Sequence, residues 1–65
     1  MKKYIMEVNV EGIWKPVKAS HLKEPYMYDT EKEADQMLRT CYPDQMIVQR
    51  LSGKEFGRIT EIEYN

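Results

Sequence analysis

Few residues in this 65-residue chain have types and spacings that suggest chemistry: one cysteine, one histidine and a group of three carboxylates. Cys41 and His21 would make a nucleophile and a general base if the fold brought them together. Their positions argue against it. Cys41 falls on the apolar stripe of a predicted helix, where a buried, inert thiol is expected. His21 falls in a polar loop beside Leu22. Glu31, Glu33 and Asp35 resemble an acid/base or metal cluster. However, they occupy the first turns of the same helix, where the helix dipole favours anions. One Cys and one His supply no tetrahedral metal set. Gly12, Gly53 and Gly57 are isolated turn glycines and form no phosphate loop. The expectation is a non-enzymatic protein with no cofactor and no metal.

Aromatic and basic residues carry the remaining chemistry. Seven of 65 residues are aromatic, five of them tyrosines, and there are five methionines. A domain this small cannot bury them all, and exposed Tyr, Trp and Met deliver contact area to a protein partner. Trp14, Tyr26, Met27, Tyr28 and Tyr42 are the candidate partner-binding residues. Core packing is the competing reading for Tyr28 and Tyr42, which flank the helix. A second reading is single-stranded nucleic-acid binding by the basic N-terminal hairpin, through Lys2, Lys3, Tyr4, Lys15, Lys18 and Lys23. There rings would stack on bases while lysines neutralise phosphates. Against it stands a net charge of −1, with 10 basic and 11 acidic residues. The charge is uneven: residues 1–23 hold five lysines against two glutamates, and residues 24–65 hold five basic against nine acidic residues. A third reading is a small-ligand binder, for instance of a nucleotide, at an oligomer interface.

The elements that would position these residues follow from periodicity. Residues 3–10 alternate, with Tyr4, Met6, Val8 and Val10 on one side, and predict a half-buried strand. Glu11-Gly12 reads as a two-residue turn. Residues 13–18 return as a second strand, with Pro16 placing it at an edge. Residues 19–25 read as a loop. Thr30 and Glu33 match a capping box, and Ala34, Met37, Leu38 and Cys41 follow as one apolar stripe. Pro43 stops the helix, giving a span of about 31–42. Residues 46–51 and 58–64 read as a second hairpin around Gly53 and Gly57. The prediction is a single α+β domain over residues 1–65. It has a four-stranded antiparallel sheet with one helix on one face, in the order β-β-α-β-β. The helix stripe would pack on Met6, Val8, Val48 and Ile62, leaving the other sheet face uncovered.

A chain of this length buries only about 60% of its unfolded surface. A lone cysteine rules out an intrachain disulfide, so a partner or a second copy is the expected support. A homodimer through the open sheet face or an edge strand is one such arrangement. No run approaches the roughly 20 apolar residues of a membrane span, and no signal peptide is visible. Met1 opens the chain, and no tag, linker or repeat follows. The expectation is therefore a complete small cytoplasmic protein.

The hairpin ending near Trp14, followed by Tyr28, Thr30, Glu33 and Ala34, resembles a pattern in short proteins of tailed bacteriophages. There a hairpin leads to a Y-x-T-x-x-E-A helix start and a final β segment. The resemblance covers about half of the chain. It implies an accessory protein acting in the host cytoplasm, for example an inhibitor of a host enzyme or defence component. It implies no catalytic residues.

Overall fold

Alternation in the first strand organises the molecule. A computed structural model describes residues 1–64. In it β1 (Lys2–Val10) is the central strand, and three others pair with it, all antiparallel. β2 (Ile13–Pro16) lies opposite Glu7–Val10, and β3 (Met27–Tyr28) opposite Tyr4 and Ile5. These two short strands therefore sit end to end along one edge. Between them the Val17 N–H donates to Met6 O at 2.9 Å, and the Tyr26 N–H donates to Val17 O at 3.2 Å. β4 (Gly57–Glu63) fills the other edge, from Lys2↔Glu63 to Val8↔Gly57. Glu11 and Gly12 both have positive φ, 53° and 86°, as a type I′ hairpin turn requires. The Asn9 carboxamide accepts from the Gly12 N–H at 2.8 Å and supports that turn.

Two helices cover one sheet face. α1 (Glu31–Cys41) starts at Thr30, whose hydroxyl accepts from the Glu33 N–H at 3.1 Å. α2 (Pro43–Ser52) follows after Tyr42 alone, with Pro43 at its first position and Gly53 ending it in the left-handed region. Met6, Leu38 and Met46 form the buried cluster beneath the helices. Val8, Val17, Tyr28, Tyr42, Phe56 and Ile59 pack around it. Residues directly opposite across strands share a face. Tyr4, Met6 and Val8 therefore look toward the helices together with Tyr28, Gly57, Ile59 and Glu61. Lys3, Ile5 and Glu7 look away together with Trp14, Pro16, Met27, Arg58, Thr60 and Ile62.

The sheet, its antiparallel pairing, the turn at 11–12, the edge position of Pro16 and the Thr30 cap match the sequence reading. The order does not. The chain runs β-β-β-α-α-β, with two helices. Residues 46–51 are helical, because Pro43 ends one helix only to open the next. β4 pairs with β1 rather than with a neighbour in sequence. Val48 is exposed on α2, and Ile62 lies on the face away from the helices. The α1 stripe is narrower than predicted: Ala34 and Leu38 are buried, while Met37 and Cys41 are exposed. Cys41 lies in the last turn, and α2 departs immediately afterwards without covering it.

Gly57 marks the tightest packing. A Cβ there would stand 2.9 Å from Leu38 Cδ2 and 3.2 Å from Met46 Sδ. Gly57→Ala is expected to cost about 1–3 kcal/mol through overpacking. Leu38→Ala is expected to cost about 2–5 kcal/mol through the cavity it leaves. Cys41→Ala should stay within about 0.5 kcal/mol, as exposed positions do. Urea unfolding of the three variants measures this. Comparable losses at Leu38 and Cys41 would show that α1 docks through a different face.

Candidate functional site

The sheet face away from the helices is largely satisfied within the chain. Glu7 lies at its centre. Its carboxylate accepts from Arg58 Nε at 2.9 Å and from the Thr60 hydroxyl at 2.5 Å. The Arg58 guanidinium reaches across β1 and stands 4.1 Å over the Trp14 ring. Lys3 pairs with Asp29 at the margin of this face. Ile5 is buried between these groups. The uncovered apolar surface expected on this face is thus reduced to Trp14, Pro16, Met27 and Ile62 around a polar network. The Thr60 hydrogen bond holds the Glu7 carboxyl below its ordinary value against the opposing effect of burial, joined by the hydrogen bond and the positive charge of Arg58.

The five candidate partner-binding residues are not gathered into one patch. Trp14 and Met27 lie half-buried on the far sheet face. Tyr28 and Tyr42 lie half-buried at the rim of the core. Tyr42 meets Phe56 edge-on, with ring centroids 5.3 Å apart. Tyr26 is exposed in the loop before β3. Burial pushes the Tyr28 phenol up, consistent with its place against α1.

The basic hairpin residues are dispersed as well. Lys2 pairs with Glu61 at 3.7 Å, and Tyr4 donates to the same carboxylate at 3.1 Å. That hydrogen bond is the main reason the Tyr4 phenol is raised. Lys15, Lys18 and Lys23 are exposed along β2 and the following loop. Cys41 lies at the end of α1, and His21 lies in that same loop. Among the described residues no cluster of His, Cys, Asp or Glu could hold a metal ion. No described helix is long and apolar enough to cross a membrane.

The surface that stands out was missed in the sequence. α2 buries Met46, and the Gln49 carboxamide accepts from the Phe56 and Gly57 N–H groups at 2.6 and 2.8 Å. These contacts fix which side of α2 faces inward. Ile47, Val48 and Leu51 then face outward at 49%, 55% and 76% exposure. At spacings of three and four residues they form one stripe. On one flank an open groove of about 800 Å³ runs between α2 and the hairpin tip. Val48 and Phe56 form its apolar part; Glu11, Asp44, Glu55 and Lys54 stand around it. On the other flank a smaller cleft places Arg39 and Arg50 beside Ile47. Pro43 at a first helical position, Asp44 after it and Gly53 beyond the end are the signals that would have marked this helix.

The Glu7 network has a measurable pH signature. A carboxyl whose folded value is depressed adds stability above its unfolded value, and the contribution is lost as pH falls through the folded value. Glu7→Gln should therefore cost about 1–2 kcal/mol at pH 7, where charge-assisted bonds are lost. The gap should close in acid, below the ordinary glutamate range. Urea unfolding at pH 7 and pH 3 checks this, and an equal gap at both would remove the ionised network from the account. No protein-family model, curated protein or solved structure matches the chain.

Proposed function

We propose that this chain is a non-enzymatic protein-binding module whose docking surface is the outer side of α2. The observation that carries this reading is Leu51 at 76% exposure, in line with Ile47 and Val48. Single exposed apolar residues are ordinary, but a continuous stripe on one helix is the usual mark of an interaction site. The flanking charges suit the rim of such a site, where charge sets orientation more than affinity. Helix-in-groove docking uses anchors at this spacing. The acidic groove beside the stripe would repel a nucleotide's phosphates, so its charge favours a polypeptide ligand. The resemblance to short tailed-phage proteins extends the reading to an accessory protein whose partner is a host component.

Leu51→Lys tests the surface without disturbing the core. Tagged chain, co-expressed with an untagged copy, is captured from lysate as wild type and as the variant. A protein held by the wild type, whether another copy or a different chain, should be lost with Leu51→Lys. Placing an unpaired ammonium in a buried apolar contact is expected to cost about 2 kcal/mol or more, about 30-fold in affinity. Circular dichroism of the variant should be unchanged. Capture that is absent, or equal for both forms, would contradict the reading.

A further inference from the structure

The α2 stripe has flanks of opposite sign, and this bears on what covers it. The acidic flank carries Glu11 and Glu55, with Lys54 among them, and Asp44 stands at the N-terminal end of the stripe itself. The basic flank carries Arg39 and Arg50. Arg39 is already paired with Asp35 at 3.0 Å, so Arg50 is the stronger determinant there. A surface of this kind can complement itself. Two-fold symmetric contacts place the same patch against itself, and two arrangements are simple. With the axis across the stripe, the two α2 helices run in opposite senses and each flank meets its like. With the axis along the stripe, the helices run in the same sense. Each acidic flank then meets the basic flank of the other copy.

Surface area gives an independent indication. The chain exposes 4987 Å², whereas a monomer of 7.8 kDa usually exposes about 4,400 Å². The surplus, about 600 Å², belongs to the whole elongated molecule and marks the chain as more open than a compact monomer of this mass. The shape agrees: extents of 37 × 23 × 17 Å and a radius of gyration of 11.8 Å, against about 10.7 Å for a compact chain of this length.

We propose that a second copy of this chain covers the α2 stripe, about a two-fold axis running along it. Leu51, Ile47 and Val48 form the apolar centre. Glu11 and Glu55 of one copy face Arg50 of the other, twice over. This inference rests on the reading of α2 as the docking surface and names its occupant.

The test is sedimentation equilibrium on charge-reversed variants. Arg50→Glu makes both flanks acidic; Glu11→Lys combined with Glu55→Lys makes both basic. All three positions are exposed, and circular dichroism verifies that each variant is folded. The wild type should sediment at twice 7.8 kDa at tens of micromolar. Each variant alone should dimerise at least tenfold more weakly, and an equimolar mixture should recover the dimer. Leu51→Lys should be monomeric. A wild type that stays monomeric at millimolar concentration overturns the inference, as does a mixture of folded variants that fails to recover. If the wild type is monomeric yet Leu51→Lys still abolishes capture of a different protein, the docking surface stands and the second copy falls. If neither assay responds to Leu51→Lys, both fall.

Discussion

Both helices reach the sheet at one crowded point, the backbone of Gly57. Leu38 and Met46 converge there so closely that an added Cβ would have to displace their side-chain ends. The rest of the arrangement follows from that contact. α1 can approach β4 closely enough for Leu38 to seal the cluster over Met6. α2, joined to α1 by Tyr42 alone, is then held to the domain by Met46, the Gln49 hydrogen bonds and the Tyr42–Phe56 ring contact. A helix attached along so narrow a line cannot turn all four of its aliphatic residues inward. Met46 goes in; Ile47, Val48 and Leu51 stay out.

The same constraint explains how the two sides of the sheet differ. The far face lacks a helix, but it is not left open. Arg58 and Thr60 both donate to Glu7, the Arg58 guanidinium lies on Trp14, and Ile5 is buried. Part of the chain's apolar excess therefore lies on α2, with more at the hairpin tip, where Val10 and Ile13 are exposed side by side. Among the described residues, five apolar side chains, Ile5, Met6, Ala34, Leu38 and Met46, are deeply buried. For a chain of this size that is a thin core, and association with another chain is one of the usual remedies.

Much of the scaffold was legible in the sequence because it follows local rules. Alternation through Tyr4, Met6, Val8 and Val10 marked the central strand, Glu11-Gly12 marked its turn, and Thr30 marked the first helix. Three features were hidden, each for a physical reason. Met46, Ile47, Val48 and Leu51 make a short, partly β-branched apolar run, which reads as a strand when periodicity alone is used. Their division into one inward and three outward residues is itself the consequence of the helix being covered on one narrow side. The two residues of β3 are too few to show a period. The pairing of β4 with β1 depends on contacts across 49 to 61 positions, which no local pattern encodes. The aromatic residues were legible as an excess, but not as a site, because Trp14, Tyr28 and Tyr42 pack against Arg58, the core and Phe56.

The outer side of α2, apolar along its centre and oppositely charged along its flanks, is the surface on which association depends in this proposal. The most direct measurement is a dilution series of two-dimensional nitrogen–proton spectra, from millimolar to low micromolar protein. Concentration-dependent shifts are predicted over residues 44–52, with Glu11, Arg39 and Glu55 moving in step and Glu7 and Trp14 still. Spectra that do not change with concentration, or changes confined to the free edge of β4 or the far sheet face, would contradict it.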